Sequence, residues 1–372
     1  MKNIGFAVDL GTTTIDYCLL KLDDGSMISN ASIKNPQCLY GSDVINRILT
    51  ITRDATFADV LKDQIINSLT ACFTKMLKDN DFEPEDVKRI CICGNTTMIS
   101  ILLKLDVACL GVSPFKPKLH DSVVVPAKQL FGNESLFDCE VFLSGCAGAF
   151  IGGDILAGIF YLKNTFKDEA FYKNNCLFID LGTNGEMILY ANDKLYGVST
   201  ACGPAFENCT RRQRIYGSTT IEAISLCLSS HKLLPNGSFG QEGVDKLTIN
   251  NVELNSDILQ SILLAKAAIA AGISVLCEQA HVRLDDIATV YLAGGFGFYL
   301  NVTHAIHIGL LPVQFKDIIK VVGNTSLNGA KLLLQTDNTS ALLMNTIEVL
   351  NLATIPSYQE KFIENMYFQP FS

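Results

Sequence analysis

The chain has 372 residues, of which 48% are hydrophobic and 18% charged, so it is long and apolar enough to bury the cores of two domains. Its net charge of -9 argues against general nucleic-acid binding, which needs a basic surface to displace phosphate counterions. Thirteen cysteines occur without a Cys-x-x-Cys pair, which favours reduced thiols in a cytoplasmic protein. We expect Cys91 and Cys93 to point to opposite faces of one strand. The apolar stretch 261–276 contains Lys266 and predicts a packed helix, with no membrane span.

The first predicted element is an apolar strand that ends in Asp9-Leu10-Gly11-Thr12. A second apolar run at 15–22, a polar turn at 23–26 and a third strand at 27–31 follow it, which indicates a β-meander. Helical periodicity over 42–52 and 57–78 then leads to a strand at 87–93, which is followed by Gly94-Asn95-Thr96-Thr97.

The second half of the chain repeats this order. An apolar strand ends in Asp180-Leu181-Gly182-Thr183, and apolar runs at 187–190 and 195–199 follow. The later predicted elements are a helix at 257–278, a strand at 289–293, a short helix at 301–308, and a strand at 321–324 that enters a helix at 327–335. The duplication predicts an α/β protein of two domains, 1–160 and 161–340, with the segment 341–372 packed on the first domain.

The repeated Asp-Leu-Gly-Thr turn suits a nucleotide phosphate. Glycine permits a tight turn that brings backbone N–H groups close to an anion, and the threonine hydroxyl can donate to a phosphate oxygen. Asp9 and Asp180, each at a strand end, could hold Mg²⁺. One such turn alone is also common in ordinary hairpins, but two in matching contexts would bracket a polyphosphate. No Walker-type sequence occurs, so the phosphate device is not a P-loop.

A third glycine-rich element follows the strand at 289–293. The sequence Ala293-Gly294-Gly295-Phe296-Gly297 allows a base or ribose to lie against bare backbone. The alternative is a plain turn between a strand and a helix.

These motifs resemble those of the actin, sugar kinase and heat-shock chaperone ATPases (ASKHA), whose fold is two ribonuclease H-like domains with a nucleotide cleft between them. The two Asp-Leu-Gly-Thr turns resemble the phosphate motifs of that superfamily, the segment 292–297 resembles its adenosine motif, and 144–154 resembles its connecting helix.

A closer resemblance covers nearly the whole chain. Its motifs are Asn35-Pro36-Gln37, Tyr40-Gly41-Ser42-Asp43-Val44-Ile45, Gly94-Asn95-Thr96-Thr97-Met98, Asp180-Leu181-Gly182-Thr183-Asn184-Gly185-Glu186 and Gly203-Pro204-Ala205-Phe206-Glu207. In this order they resemble the ATPase portion of reductive activators of corrinoid-dependent proteins, the RACo type.

The resemblance implies a Mg·ATP-dependent ATPase that supports reduction of a cob(II)alamin protein, the corrinoid partner of a methyltransferase, to cob(I)alamin. Such activators usually carry an N-terminal [2Fe–2S] domain. This chain begins at the ATPase strand, so we expect no iron–sulfur cluster in it and a separate ferredoxin-like electron donor. A homodimer is expected from the family and from the frequency of symmetric assemblies.

The expected site residues fall into four groups. Asp9 and Asp180 would hold the metal, and Asp154 or Glu186 would orient the attacking water. The expected nucleotide contacts are Gly11, Thr12, Thr13, Gly182, Thr183 and Asn184 near the phosphates, Gly294, Gly295, Gly297 and Asn324 near the adenosine, and Asn95 without a stated part of the nucleotide. The possible partner contacts are Ser199, Thr200, Arg211 and Arg212. The arginines could instead form a solvated loop, which is the usual state of a run of charges, and Ser199 and Thr200 could lie in a turn packed under them.

Three other functions fit the same fold. A small-molecule kinase would need a substrate pocket and a general base beside the γ-phosphate. A nucleotide-gated binding module would close on ATP without appreciable turnover. A dehydratase-activator type would need a [4Fe–4S] cluster between subunits, for which Cys146 and Cys202 are the candidate ligands.

Overall fold

The computed structural model describes residues 2–41, 43–166, 173–182, 184–202, 217–336 and 347–371. It divides into two compact units. Unit 1 comprises 1–167 and 324–347, and unit 2 comprises 168–323 and 348–372.

Unit 1 is built on a sheet of strand order β3-β2-β1-β4-β6-β5. The β1–β2–β3 meander is antiparallel, β4 and β6 run parallel to β1, and β5 is antiparallel to β6. Its strands are β1 (Ile4–Leu10), β2 (Thr14–Lys21), β3 (Met27–Lys34), β4 (Val87–Gly94), β5 (Val123–Pro126) and β6 (Glu140–Leu143). Its helices are α1 (Val44–Arg53), α2 (Phe57–Asp79), α3 (Thr96–Leu102), α4 (Ala127–Phe131), α5 (Gly153–Thr165) and α10 (Thr325–Gln335).

Both faces of this sheet are covered, which explains the nearly continuous apolar sequence of β1. On one face Phe6 stacks on Phe73 of α2, with ring centroids 4.2 Å apart. On the other face Ala7 packs with residues of α5 and α10. These two helices approach so closely at Gly329 that a Cβ there would overlap the carbonyl oxygen of Ala157.

Unit 2 repeats the arrangement in a sheet of order β13-β12-β7-β8-β9-β14. Its strands are β7 (Cys176–Leu181), β8 (Gly185–Ala191), β9 (Lys194–Thr200), β12 (Thr289–Ala293), β13 (Ile319–Gly323) and β14 (Ile347–Val349), with a separate hairpin of β10 (Lys246–Ile249) and β11 (Val252–Asn255). Its helices are α6 (Gly217–Ser229), α7 (Ser256–Gln279), α8 (Gly294–Tyr299), α9 (Val302–His307) and α11 (Pro356–Glu364). Each sheet therefore contains an antiparallel meander followed by parallel strands, which confirms the predicted duplication and the two-domain α/β fold class.

The helix α7 is long and apolar enough to cross a membrane by length and composition alone. However, 72% of its most apolar window is buried inside unit 2, as in the core helix of a globular domain. Lys266 on α7 is fully buried, and its Nζ donates to the carbonyl oxygen of Tyr367 at 2.7 Å. This bond joins the core helix to the C-terminal segment.

Three expectations differ from the structure. Residues 324–336, expected in the second domain, belong to unit 1. The residues from 348 onward belong to unit 2 and not to the first domain, because Leu350 N–H donates to the carbonyl oxygen of Gly197 in β9 and α11 packs on α7. Cys91 and Cys93 lie on the same face of β4, with their sulfurs 3.9 Å apart. The expectation of opposite faces was wrong because side chains two residues apart on a strand share a face.

Candidate functional site

The carboxylate of Asp9, near the carboxyl end of β1, is the centre of a polar cluster in unit 1. The β1–β2 hairpin pairs Asp9 directly with Asp16. The side-chain amide of Asn324 donates to Oδ2 of Asp9 at 2.9 Å and to Oδ2 of Asp16 at 3.1 Å. The hydroxyl of Ser326 donates to Oδ1 of Asp9 at 2.8 Å. The start of α10 therefore positions both carboxylates.

The charge state of this cluster is set mainly by burial. Burial raises the pKa of Asp9 to about 7, the charges of Asp16 and Asp154 add to this rise, and the bonds from Ser326 and Asn324 oppose it. Burial also raises the pKa of Asp154, in the first turn of α5, to about 6. The backbone N–H of Ile155 donates to Oδ1 of Asp154 at 2.9 Å and opposes that rise. The site thus holds carboxyl groups whose mutual repulsion a cation would relieve.

These donors fit Mg²⁺, which prefers oxygen ligands. Within the described parts of the chain, no group of three or more His, Cys, Asp or Glu side chains is arranged to hold a metal ion. That is compatible with Mg²⁺, which commonly takes one or two protein carboxylates and completes its shell with phosphate and water. Asp9 and Asp16 would supply the protein oxygens in unit 1.

The turn after β1 is fixed by hydrogen bonds. Thr12 is buried, and its hydroxyl accepts from the side-chain amide of Asn95 at 3.0 Å. Asn95 caps α3 at the same time, because its Oδ1 accepts from the N–H of Met98 at 3.0 Å. A Cβ at Gly11 would lie 2.6 Å from the carbonyl oxygen of Thr14, so the turn requires glycine there. Thr12 and Asn95 were both expected to contact nucleotide, and in the structure their side chains are hydrogen-bonded to each other.

The second turn, in unit 2, has a matching arrangement. Asp180 lies opposite Glu186 in the β7–β8 hairpin. Gly182 N–H donates to the carbonyl oxygen of Asn184 at 3.0 Å, and a Cβ at Gly182 would contact only this oxygen, at 3.9 Å. The space beside Gly182 is therefore open, while its N–H group is used within the turn. Thr183 lies outside the described residues.

The glycines after β12 have different structural roles. Gly294 begins α8 with φ of +85°, and a Cβ there would lie 2.6 Å from Oδ1 of Asp180 and overlap the carbonyl oxygen of Leu181. A Cβ at Gly295 would meet nothing within 4 Å. A Cβ at Gly297 would lie 3.1 Å from Leu292. Gly294 is therefore needed beside Asp180, whereas Gly295 presents bare backbone.

The structure gives the contacts of some of the other expected site residues. Asn324, expected near the adenosine, bonds to the carboxylates of unit 1. Thr200, expected at a partner surface, is buried, and its hydroxyl donates to the carbonyl oxygen of Gly185 at 3.1 Å. Ser199 donates to Oε1 of Glu186 at 3.3 Å. Arg211 and Arg212 lie outside the described residues.

Sequence analysis did not identify Asp16 or Ser326. Asp16 could have been found from the hairpin register, since a strand residue opposite Asp9 faces the same side of the sheet. Ser326 carries no local signal, because its contact with Asp9 spans more than three hundred residues of sequence.

Comparison with known proteins gives consistent results. Residues 4–164 match the family model described as the RACo middle region, and residues 174–216 and 213–371 match the C-terminal domain of RACo, the ASKHA domain. The chain is 26% identical to the corrinoid activation enzyme RamQ of Eubacterium limosum, over 98% of this chain and 70% of that protein. It is 24% identical to a [Co(II) methylated amine-specific corrinoid protein] reductase of Methanosarcina barkeri, over 87% of this chain and 68% of that protein.

A solved structure agrees with this relationship. The reductive activator for corrinoid, iron–sulfur protein superimposes with a TM-score of 0.86 at 26% identity, over 99% of this chain. This chain covers 66% of that activator, so it spans about two thirds of the length of these relatives. Since family models match both halves of the chain and the ASKHA model alone matches more than half of it, the chain belongs to the RACo family.

Proposed function

We propose that the chain is a Mg·ATP-binding ATPase that supports the reductive activation of a corrinoid protein and receives its electron from another chain. Family membership carries the general function. RamQ is named as a corrinoid activation enzyme, and the relative from Methanosarcina barkeri as a corrinoid protein reductase. Both names describe action on a corrinoid protein, which supports such a partner for this chain.

The cluster around Asp9 supports the nucleotide part of the proposal. Asp9 and Asp16 provide oxygen ligands, and the turn at 11–13 in the same unit provides backbone N–H groups for phosphate. Bound Mg²⁺ would neutralise charge on the phosphates during transfer of the γ-phosphoryl group. Gly295 provides bare backbone against which an adenosine could lie.

Asp154 is the preferred residue for orienting the attacking water. Its Oδ1 accepts from the N–H of Ile155, and a carboxylate has further lone pairs that can accept a hydrogen bond from water. With a pKa raised to about 6, this carboxylate is largely ionised near neutral pH and is a better base than an ordinary aspartate. Glu186, held by Ser199, is the second candidate.

The test is ATP turnover with Mg²⁺, measured with and without purified corrinoid proteins from the same genome. We expect turnover, or formation of a tight complex, that depends on one corrinoid protein and is lost in Asp9→Asn and Asp180→Asn. Reduction of the cob(II)alamin centre, followed spectroscopically, should additionally require an added ferredoxin-like donor. Absence of any nucleotide binding by a folded, wild-type protein would contradict the proposal.

Two alternatives predict different results in the same experiment. Tight ATP binding with negligible turnover and no response to corrinoid proteins would indicate a nucleotide-gated binding module. Appearance of a phosphorylated metabolite in a substrate screen would indicate a kinase.

A further inference from the structure

Arg47 on α1 is a fully buried arginine in unit 1. Its Nε donates to the carbonyl oxygen of Gly41 at 3.1 Å, and its Nη1 to Oε1 of Gln37 at 3.0 Å. Its Nη2 donates to the carbonyl oxygen of Thr12. Burial lowers the pKa of Arg47 from its ordinary value. Burying a guanidinium is unfavourable unless its donors are satisfied, and here Nε, Nη1 and Nη2 each have an acceptor.

The network reaches the turn that follows β1. Asn35 uses its side-chain amide to donate to the carbonyl oxygen of Gly11 at 2.8 Å. Its backbone N–H donates to the carbonyl oxygen of Thr13 at 2.8 Å. Together with Arg47, these bonds anchor three successive carbonyl groups of the turn to buried or partly buried donors.

This anchoring determines where the N–H groups of the turn point. In a trans peptide, the carbonyl of one residue and the N–H of the next point in opposite directions. Bonds to the carbonyls of Gly11 and Thr12 therefore fix the directions of the N–H groups of Thr12 and Thr13. The guanidinium also places a positive charge behind the Thr12 carbonyl, in a site that is otherwise rich in carboxylates.

The network is itself attached to the core of unit 1. Gln37 is buried, and its Nε2 donates to the carbonyl oxygen of Leu61 on α2 at 2.8 Å. The sulfur of Met98, on α3, lies 3.0 Å from Nη1 of Arg47. Movement of the turn would therefore disturb contacts with α1, α2 and α3.

We propose that Arg47 is a positioning residue that holds the turn at 11–13 in the conformation that receives an anion. Identifying this anion as an ATP phosphate rests on the function proposed above. This proposal explains the sequence motifs around Asn35, Gln37 and Gly41. Gln37 and Gly41 accept hydrogen bonds from Arg47, and Asn35 donates to the turn itself.

The experiment compares wild type, Arg47→Lys and Arg53→Lys, where Arg53 is an exposed arginine at the end of the same helix. Hydrogen–deuterium exchange of the peptide covering 11–14 reports on the turn, and titration with Mg·ATP reports on binding. Lysine keeps the charge but lacks the planar fork that reaches several acceptors at once. We expect Arg47→Lys to accelerate exchange of the turn ~5-fold or more and to weaken Mg·ATP binding ~10-fold, with exchange of α7, in unit 2, unchanged. Arg53→Lys should match wild type.

A folded Arg47→Lys with wild-type exchange in the turn and wild-type affinity would overturn the proposal. If Arg47→Lys fails to fold, Met98→Leu removes the sulfur contacts with Nη1 of Arg47 and Nδ2 of Asn35 at nearly constant volume. It should shift turn exchange in the same direction by a smaller factor. An unchanged turn in folded Met98→Leu would then overturn it. If wild type binds no nucleotide, the proposed function fails, and the exchange comparison still decides whether Arg47 holds the turn.

Discussion

Asp16 lies directly opposite Asp9 across the β1–β2 hairpin, and Glu186 lies opposite Asp180 in the corresponding hairpin of unit 2. Each copy of the repeated turn is thus accompanied by a second acidic side chain on the next strand. In unit 1 the two carboxylates share a donor, the amide of Asn324. Asp16 should therefore contribute to metal binding together with Asp9.

Replacing Asp16 with asparagine should lower the affinity for Mg²⁺ in the presence of ATP without abolishing Mg²⁺ binding. The change removes a charge that contributes to the raised pKa of Asp9, while asparagine keeps the shape and an acceptor for Asn324. We expect a loss of ~3–10-fold in Mg²⁺ affinity, compared with ~100-fold or more for Asp9→Asn. Mg²⁺ titrations at fixed ATP measure both values. Asp79→Asn, at the exposed end of α2, controls for net charge, and an Asp16→Asn protein as defective as Asp9→Asn would contradict this ranking.

Asp9 should make the metal-free protein less stable as pH rises. Its folded-state pKa of about 7 exceeds the ordinary value of 3.8, so between these values the folded state binds more protons and loses stability with increasing pH. Asp9→Asn should therefore stabilise metal-free protein more at about pH 8 than at about pH 5, with a difference of ~1–2 kcal/mol. Denaturant titrations in the presence of a chelator at both pH values measure it. An equal effect at the two values would show that Asp9 does not retain its proton.

Gly294→Ala and Gly295→Ala form a matched pair. A methyl group at Gly294 would meet Oδ1 of Asp180 in a backbone conformation that disfavours alanine, so we expect a loss of ~2–4 kcal/mol in the free energy of unfolding. Alanine at Gly295 meets nothing and should leave stability within ~0.5 kcal/mol of wild type. Thermal denaturation separates the two variants. If an adenosine lies against this backbone, Gly295→Ala should still weaken Mg·ATP binding, and normal binding would place the adenosine elsewhere.

Lys266 should make stability depend on pH in the opposite direction. Burial lowers its pKa from 10.5 to about 7, so the unfolded state binds more protons between these values. Stability contributed by this group is therefore present above about pH 10.5 and is lost as pH falls toward 7. Relative to Lys266→Met, wild type should gain ~2 kcal/mol between about pH 7 and about pH 10. Urea titrations at both pH values measure this gain. Lys232→Met, at an exposed lysine, is the control and should show the same pH dependence as wild type. If Lys266→Met also shows the wild-type pH dependence, Lys266 is not its source.

The sequence was sufficient to predict the fold because its main signal is a local pattern that occurs twice. An apolar strand, a glycine turn and a second strand can be recognised within about fifteen residues, and each copy identified its aspartate, Asp9 or Asp180. The glycine-rich start of α8 was found in the same way.

Long-range contacts could not be predicted by this means. Asn324 follows a strand of unit 2 in sequence, which suggested an adenosine contact, yet it bonds to Asp9 across 315 residues. Arg47 appeared only as an unremarked residue of an amphipathic helix, since burial of a charge depends on acceptors brought together by the tertiary fold. Thr200 was expected, by resemblance, in a loop that approaches a partner, whereas the structure places it at the buried end of β9.

The division of unit 1 into two stretches of sequence has a consequence for biosynthesis. The ribosome makes residues 1–167 first, but α10, which covers one face of the unit 1 sheet with Ala330, Leu333 and Leu334, is made only after all of residues 168–323. Until then the nascent chain lacks both this cover and the donors Asn324 and Ser326. The first half of the protein therefore emerges with an apolar face exposed, and its completion depends on a segment translated late.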